Sequence, residues 1–234
     1  MTVEKFVTAL GLTVSVYCIN HGSLALAIQW PDSDRCYTVW VDPVANYYGN
    51  TVDFSGVPVP DALLVTHGHG DHLDTTLAAS ALRAGASCIG SPDVCEHFPE
   101  ATLLRHGKSL TLTEGITVTA VPAYNHTPGH TRFHPKSRED NGYVIDIAGF
   151  KIYVAGDTED IPEMKNLAGT IDLAFLPVNQ PYTMTIPQAV NAAKMIAPKV
   201  LMPYHLTDTD LTALRSALEA ALPKTEVRIV SEFR

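Results

Sequence analysis

Apolar and polar residues alternate through Leu12–Ile19, a stretch rich in β-branched side chains, and a period of two marks a half-buried strand. Ser23–Trp30 reads as a second strand after His21-Gly22, Pro31–Arg35 as a turn, and Tyr37–Val41 as a third strand. The chain therefore opens as an antiparallel meander. Ala62–Val65 has no polar residue, as expected of a strand buried on both faces. Thr75–Ala84 then reads as a helix stopped by Gly85, and Ser87–Ile89 as a short strand. Ser91-Pro92 starts a short helix, with serine at the cap and proline at the first helical position.

The second half repeats this order. Ser109–Leu112, Ile116–Val121, Tyr143–Ile147 and Lys151–Ala155 read as strands, and Asp172–Leu176 as a buried one. Thr185–Ala197 is a helix: Thr185 and Gln188 have capping-box spacing, and Ile186, Ala189, Val190, Ala193 and Ile196 share a face. Val200–Met202 is a strand. Thr209–Leu222 is a helix with Leu211, Leu214, Leu218 and Leu222 toward a core, and Val227–Val230 is a closing strand. Strands followed by strands mixed with helices, twice over, predict two mixed sheets packed face to face with helices outside.

Composition narrows the function. The 234 residues can bury a sizeable core, and we read residues 1–234 as a single domain. With 46% hydrophobic and 18% charged residues, the chain is not intrinsically disordered. Twenty-five acidic residues against 16 basic ones give a net charge of −9, so a nucleic-acid partner is not expected. No apolar run approaches the ~18 residues of a membrane span, so no membrane insertion is expected. Met1–Lys5 lacks a signal-peptide pattern, which makes the cytoplasm the expected location. Cys18, Cys36, Cys88 and Cys95 form no C-x-x-C pair and read as reduced, partly buried thiols.

The placement of the ten histidines carries the chemistry. His67, His69, Asp71 and His72 fall within six residues directly after the strand Ala62–Val65, spaced by Gly68 and Gly70. Burying such a run is costly unless it is paired or metal-bound. Two histidines two apart at a strand end can meet one ion, and Asp71 with His72 a second. Imidazole and carboxylate suit zinc, manganese or ferrous iron, and the absence of cysteine disfavours a closed structural zinc site.

H-x-H-x-D-H after an apolar strand resembles the metallo-β-lactamase superfamily. Further pieces match in order: Val41-Asp42-Pro43, Ala155-Gly156-Asp157-Thr158 and Pro203-Tyr204-His205. The resemblance implies that Asp157 bridges two metals, that His205 is the last histidine ligand, and that Asp42 supports the metal loop from behind. It also implies an α+β fold, a four-layer αββα sandwich with the site on an edge formed by loops of both sheets. Pro122-Ala123-Tyr124-Asn125, Phe133-His134-Pro135-Lys136 and Asn141-Gly142-Tyr143 are similar to a narrower branch of small metal-dependent hydrolases. Ile161-Pro162-Glu163-Met164 and Pro181-Tyr182-Thr183-Met184 fit the same branch, which includes lactonase-like and N-acyl-phosphatidylethanolamine phospholipase-like members.

The superfamily places a third histidine just after the strand Ile116–Val121. Three residues compete for that position: His134, Asn125 and His126, the last opening a His126-Thr127-Pro128-Gly129-His130 segment that resembles the glyoxalase II type; with no ligand there, one site is weak and a single ion does the work. His21-Gly22-Ser23 resembles an early segment of lactonase-like relatives whose histidine faces the site. Tyr182 either lines a pocket or belongs to a turn. Lys136, Arg138, Glu139 and Asp140 read as a solvated loop, and His97 and His106 as surface residues.

The resemblance implies a hydrolase in which two ions, Zn2+ first with Mn2+ or Fe2+ as alternatives, generate a metal-activated hydroxide. That hydroxide attacks a small ester, lactone or phosphodiester, with Asp71 as a catalytic proton carrier. Competing readings are a ribonuclease Z-like nuclease, a di-iron redox protein, and a catalytically silent metal-binding member. No G-x-S-x-G supports a serine nucleophile.

Overall fold

The computed structural model describes residues 1–47 and 49–234. The first half supplies β1 (Thr2–Val7), β2 (Thr13–Asn20), β3 (Ser23–Gln29) and β4 (Cys36–Val41), then the small hairpin β5 (Asn46–Tyr47) and β6 (Asn50–Thr51). It continues with β7 (Ala62–Val65), α1 (Thr75–Arg83), β8 (Ser87–Gly90), α2 (Pro92–His97) and β9 (Thr102–Leu103). The second half supplies β10 (Ser109–Thr113), β11 (Ile116–Pro122), β12 (Asn141–Ile147), β13 (Phe150–Val154) and β14 (Leu173–Pro177). It ends with α3 (Ile186–Ile196), β15 (Val200–Tyr204), α4 (Leu211–Ala221) and β16 (Glu226–Val227).

Two seven-stranded sheets result, ordered β1-β2-β3-β4-β7-β8-β9 and β10-β11-β12-β13-β14-β15-β16. Each begins as a four-stranded antiparallel meander and continues with three parallel strands. The parallel pairings need crossovers, which is why α1, α2, α3 and α4 occur in those stretches.

Alternate residues of one strand go to different cores. Leu24, Leu26, Ile28, Ala62 and Leu64 join one apolar cluster with Ile116, Val118, Tyr143 and Ile145 of the other sheet. Ala25, Leu63 and Val65 join a second cluster with Ala78 and Ala81 of α1 and Val94 of α2. Ala189, Ala192, Ala193 and Ile196 of α3 and Leu214 and Leu218 of α4 pack with the second sheet. This is the four-layer sandwich: helices, sheet, sheet, helices.

The caps follow the sequence. Asp74 accepts from the Thr76 and Leu77 N–H groups at α1, Asp210 from Thr212 and Ala213 at α4, and Thr185 forms a complete capping box with Gln188 at α3. The short strands β5, β6 and β9 were not expected from the sequence, and two longer segments also differ from expectation. The closing strand is only Glu226–Val227, followed by a 3-10 turn at Ser231–Phe233 that buries Phe233. β1 carries no apolar signal because its pattern is inverted: Val3 and Val7 are exposed, while Thr2, Glu4 and Phe6 are partly buried. Edge pairing to β2 and the ion pair of Glu4 with Arg228 (2.7 Å) hold it in place.

Candidate metal centre

The parallel strands of both sheets end at one edge. Asp42 follows β4, Thr66–His72 follows β7, Asp157 lies three residues after β13, Asn179 two after β14, and His205 directly after β15. The crevice beyond strand C-termini is a recurrent ligand position in sheets with parallel strands. The two sheets are tied together there. Tyr143, buried on β12, donates from its hydroxyl to the Val65 carbonyl (2.7 Å), and Asn141 N–H donates to the Thr66 carbonyl (3.0 Å).

Three of the eight non-glycine residues with positive φ among the described residues lie at the same edge. His21, Asp42 and His205 have φ of +29°, +46° and +54°, values that non-glycine residues rarely adopt. Two glycines give close approach. A Cβ on Gly22 would stand 2.9 Å from Cε1 of His72. One on Gly156, at φ +66°, would stand 2.6 Å from the Asn141 carbonyl oxygen.

Three sets of donor atoms lie within 4.8 Å of one another: His67, His69 and His134; His67, His72 and Asp157; and His21, Asp71 and His205. His67 Nε2 and His69 Nδ1 are 3.1 Å apart. Asp157 spans the groups. Its Oδ1 is 3.4 Å from His72 Nε2, and its Oδ2 is 3.3 Å from both His134 Nε2 and His205 Nε2. Asp71 Oδ2 is 3.6 Å from His205 Nε2 and 3.9 Å from His72 Nε2. His134, rather than His126 or Asn125, therefore meets His67 and His69. The His126 side chain is 47% exposed and faces Asp160 (3.2 Å) and the buried Glu159 (3.8 Å). Asn125 instead holds backbone: its N–H donates to the His134 carbonyl (2.8 Å) and its Nδ2 to the Tyr182 carbonyl (2.6 Å).

Behind these atoms, Asp42 is fully buried and receives the Thr66 N–H (2.7 Å), the Thr66 hydroxyl (2.8 Å) and His72 Nδ1 (2.8 Å). Because the Thr66 hydroxyl donates to Asp42, its oxygen is left to accept from His67 Nδ1 at 2.9 Å. Both imidazoles are thereby fixed with Nε2 toward the cluster.

The electrostatics follow from the crowding. Burial pushes His67 well below the ordinary histidine range, reinforced by the neighbouring imidazoles of His72, His134 and His69. His69 is lowered by burial, then by His134 and Arg138. Burial alone would raise Asp71 and Asp157, but surrounding histidines hold both carboxyls below their ordinary values. Burial raises Asp42, and its bonds to His72 and Thr66 offset this only in part. Burial also opposes charge on His72, yet Asp157, Asp42 and Asp71 draw it up to about 10.

This donor set fits divalent metal. His72 Nε2, His205 Nε2 and Asp157 Oδ1 are buried with no hydrogen-bond partner among the described residues, an expensive arrangement unless something ligates them. A cleft of about 350 Å3 opens over the cluster, and its lining includes Asp71, Asn46, Phe133, Asn179 and Tyr182. Tyr182, 42% exposed, packs edge-on against Phe133 with ring centroids 4.9 Å apart. Its neighbour Thr183 closes the turn back to Asn179, so the segment both lines the cleft and turns.

The solvated-loop expectation for residues 136–140 is overturned at two positions. Asp140 is buried, with Oδ2 3.4 Å from His134 Nδ1, and Arg138 pairs with it at 2.6 Å. Arg138 also reaches His69 Nε2 (2.8 Å) and His134 Nδ1 (3.1 Å). A two-residue-apart Arg-Asp pair is a common surface pattern, so the local sequence held no signal. Asp93, which accepts the Gly68 N–H (2.7 Å), was likewise outside any motif. His97 is exposed as expected, whereas His106 is half-buried with Nε2 at the Asp140 carbonyl (2.9 Å).

A model of the beta-lactamase superfamily domain matches residues 37–206. The chain belongs to the metal-dependent hydrolases of the metallo-β-lactamase superfamily. A UPF0173 metal-dependent hydrolase of Methanosarcina mazei is 32% identical over 184 residues, covering 74% of this chain and 79% of that protein. A crystal structure from Parabacteroides distasonis, assigned as a metal-dependent hydrolase, is 41% identical with a TM-score of 0.87 and covers 97% of both chains. YhfI from Bacillus subtilis, a metallo-β-lactamase fold protein, shares the fold at 17% identity and a TM-score of 0.70, over 94% of this chain and 97% of its own. The H-x-H-x-D-H and G-D-T segments of this superfamily member fall inside the matched region. No helix among the described residues is long and apolar enough to cross a membrane.

Proposed function

We propose that the chain is a dinuclear hydrolase of a small ester, lactone or phosphodiester. His67, His69 and His134 would hold one divalent ion, Asp71, His72 and His205 the other, and Asp157 both. Imidazole and carboxylate donors suit Zn2+, Mn2+ and Fe2+. The observation that carries this reading is Asp157, whose two oxygens face histidines of both groups at 3.3–3.4 Å. Bound in pairs, such ions lower the pKa of water toward neutrality and polarise a carbonyl or phosphoryl oxygen.

The chain's own residues do the rest. Asp42 and Thr66 fix the orientations of His72 and His67. Asp71, kept ionised by His72, His205 and His21, would accept a hydrogen bond in the cleft. Phe133 and Tyr182 form an aromatic wall that excludes water from one side of a bound substrate. No Lys or Arg is among the described residues lining the cleft, which supports a small substrate over a nucleic-acid strand.

The test compares wild type and Asp157→Ala, each reconstituted with metal, on a panel of esters, lactones and phosphodiesters. Wild type is expected to turn over at least one class, and the variant to lose both ions and turnover. Two ions and full turnover in Asp157→Ala would contradict the assignment. Two ions in wild type without turnover on any class would favour a silent metal-binding member.

A further inference from the structure

The two halves of the centre are not equivalent. The half around His67, His69 and His134 has those three imidazoles, with Asp157 Oδ2 3.3 Å from His134 Nε2. The other half has Asp71, His72 and His205, with Asp157 within 3.4 Å of both histidines, and His21 grouped with Asp71 and His205. His21 is buried at the turn between β2 and β3. Its backbone is fixed on both sides. Its N–H donates to the Glu232 carbonyl (3.2 Å), and its carbonyl accepts the His205 N–H (3.0 Å). The C-terminal 3-10 turn and the strand end that carries His205 thus both set its position.

The geometry of the ring follows. His21 Nε2 lies 3.6 Å from Asp71 Oδ2, the same oxygen and the same distance as His205 Nε2. The His21 and His205 rings lie against each other with centroids 3.6 Å apart, tilted by 43°. Donors on one ion at about 2.1 Å are roughly 3.0–3.4 Å apart along an edge of its coordination polyhedron. Both nitrogens therefore stand within a few tenths of an ångström of sharing one ion with the Asp71 carboxylate.

We propose that His21 is a fifth protein ligand of the second ion, completing a set with Asp71, His72, His205 and Asp157. Tetrahedral zinc is satisfied by four donors. Five nitrogen and oxygen donors match a five- or six-coordinate ion such as Mn2+, Fe2+ or Co2+. The two sites would then differ in metal preference: a four-donor site that accepts zinc, and a five-donor site that selects a higher-coordinate ion. The inference rests on the dinuclear reading above.

The test titrates metal-free wild type and His21→Ala with Co2+, following ion count and visible absorption, which is far stronger for four-coordinate than for six-coordinate Co2+. Wild type is expected to bind two ions, the second adding little absorption. In His21→Ala the second ion should bind at least about 10-fold more weakly, the lower end of what losing even a supporting partner costs. Its absorption should also rise as its coordination number falls. That rise separates a ligand from a residue that merely steadies His205, which would lower affinity without changing the coordination number. His21→Phe, which keeps the ring against His205 but has no donor atom, replaces the alanine variant if thermal unfolding shows that the alanine variant does not fold. Unchanged affinity and spectrum for the second ion would overturn the role of His21 and leave the dinuclear reading standing. Fewer than two ions in wild type would overturn both.

Discussion

Under the proposed assignment, protons and metal compete for His72. In the metal-free chain, Asp157, Asp42 and Asp71 draw it up to about 10, against the opposing effect of burial. A histidine raised in the folded state contributes stability fully below its unfolded value, near 6.5, and loses that contribution as pH rises through about 10. Metal reverses the preference, because a ligating imidazole must give up its proton. Between pH 7 and 9 the ion at His72 should therefore displace one proton, and its affinity should rise about tenfold per pH unit. Calorimetric titration in buffers of different ionisation enthalpy reads that proton directly, and a pH-independent affinity would contradict the coupling. At this scale, legibility tracked distance along the chain. His67, His69, Asp71 and His72 were visible because they fall within six residues after one strand. Asp140 and Arg138 were hidden because their charges matter only where the fold brings them against His134 and His69.

Elements were legible where one face is buried and hidden where pairing alone holds them. β2 and the α3 helix show their periods plainly, and the α3 cap was readable from Thr185 and Gln188. β1 was not, since its exposed positions carry the valines and its hold on β2 comes from the ladder. The third histidine lies in a long loop without periodicity, so spacing left His134, His126 and Asn125 open. The loop's own bonds decide which one reaches the cluster, above all Asn125 N–H to the His134 carbonyl and the His126 and Thr127 N–H groups to Glu159. Thr185→Ala removes the hydroxyl that accepts the Gln188 N–H at 3.3 Å. It should cost about 1 kcal/mol and lower the melting temperature by about 2–4 °C for a chain of this size, with metal content unchanged. A melting temperature equal to wild type would show that the cap contributes nothing.

The whole molecule is one plan used twice, a four-stranded meander leading into three parallel strands, with the two sheets facing each other. That repetition was visible as a recurring order of elements, and the H-x-H-x-D-H, G-D-T and P-Y-H segments all fall where parallel strands end. What the order of elements could not supply is the shape of the cleft, where Asn46 and Asn179 join Phe133 and Tyr182 from separate loops. The central claim is that the two sheets meet to hold two ions, one of them on His67, His69 and His134. Elemental analysis of purified wild type and His134→Ala, side by side, tests it most directly. Two ions per chain in wild type and one in the variant are the predicted result; two ions in both proteins, or none in either after reconstitution, would contradict it.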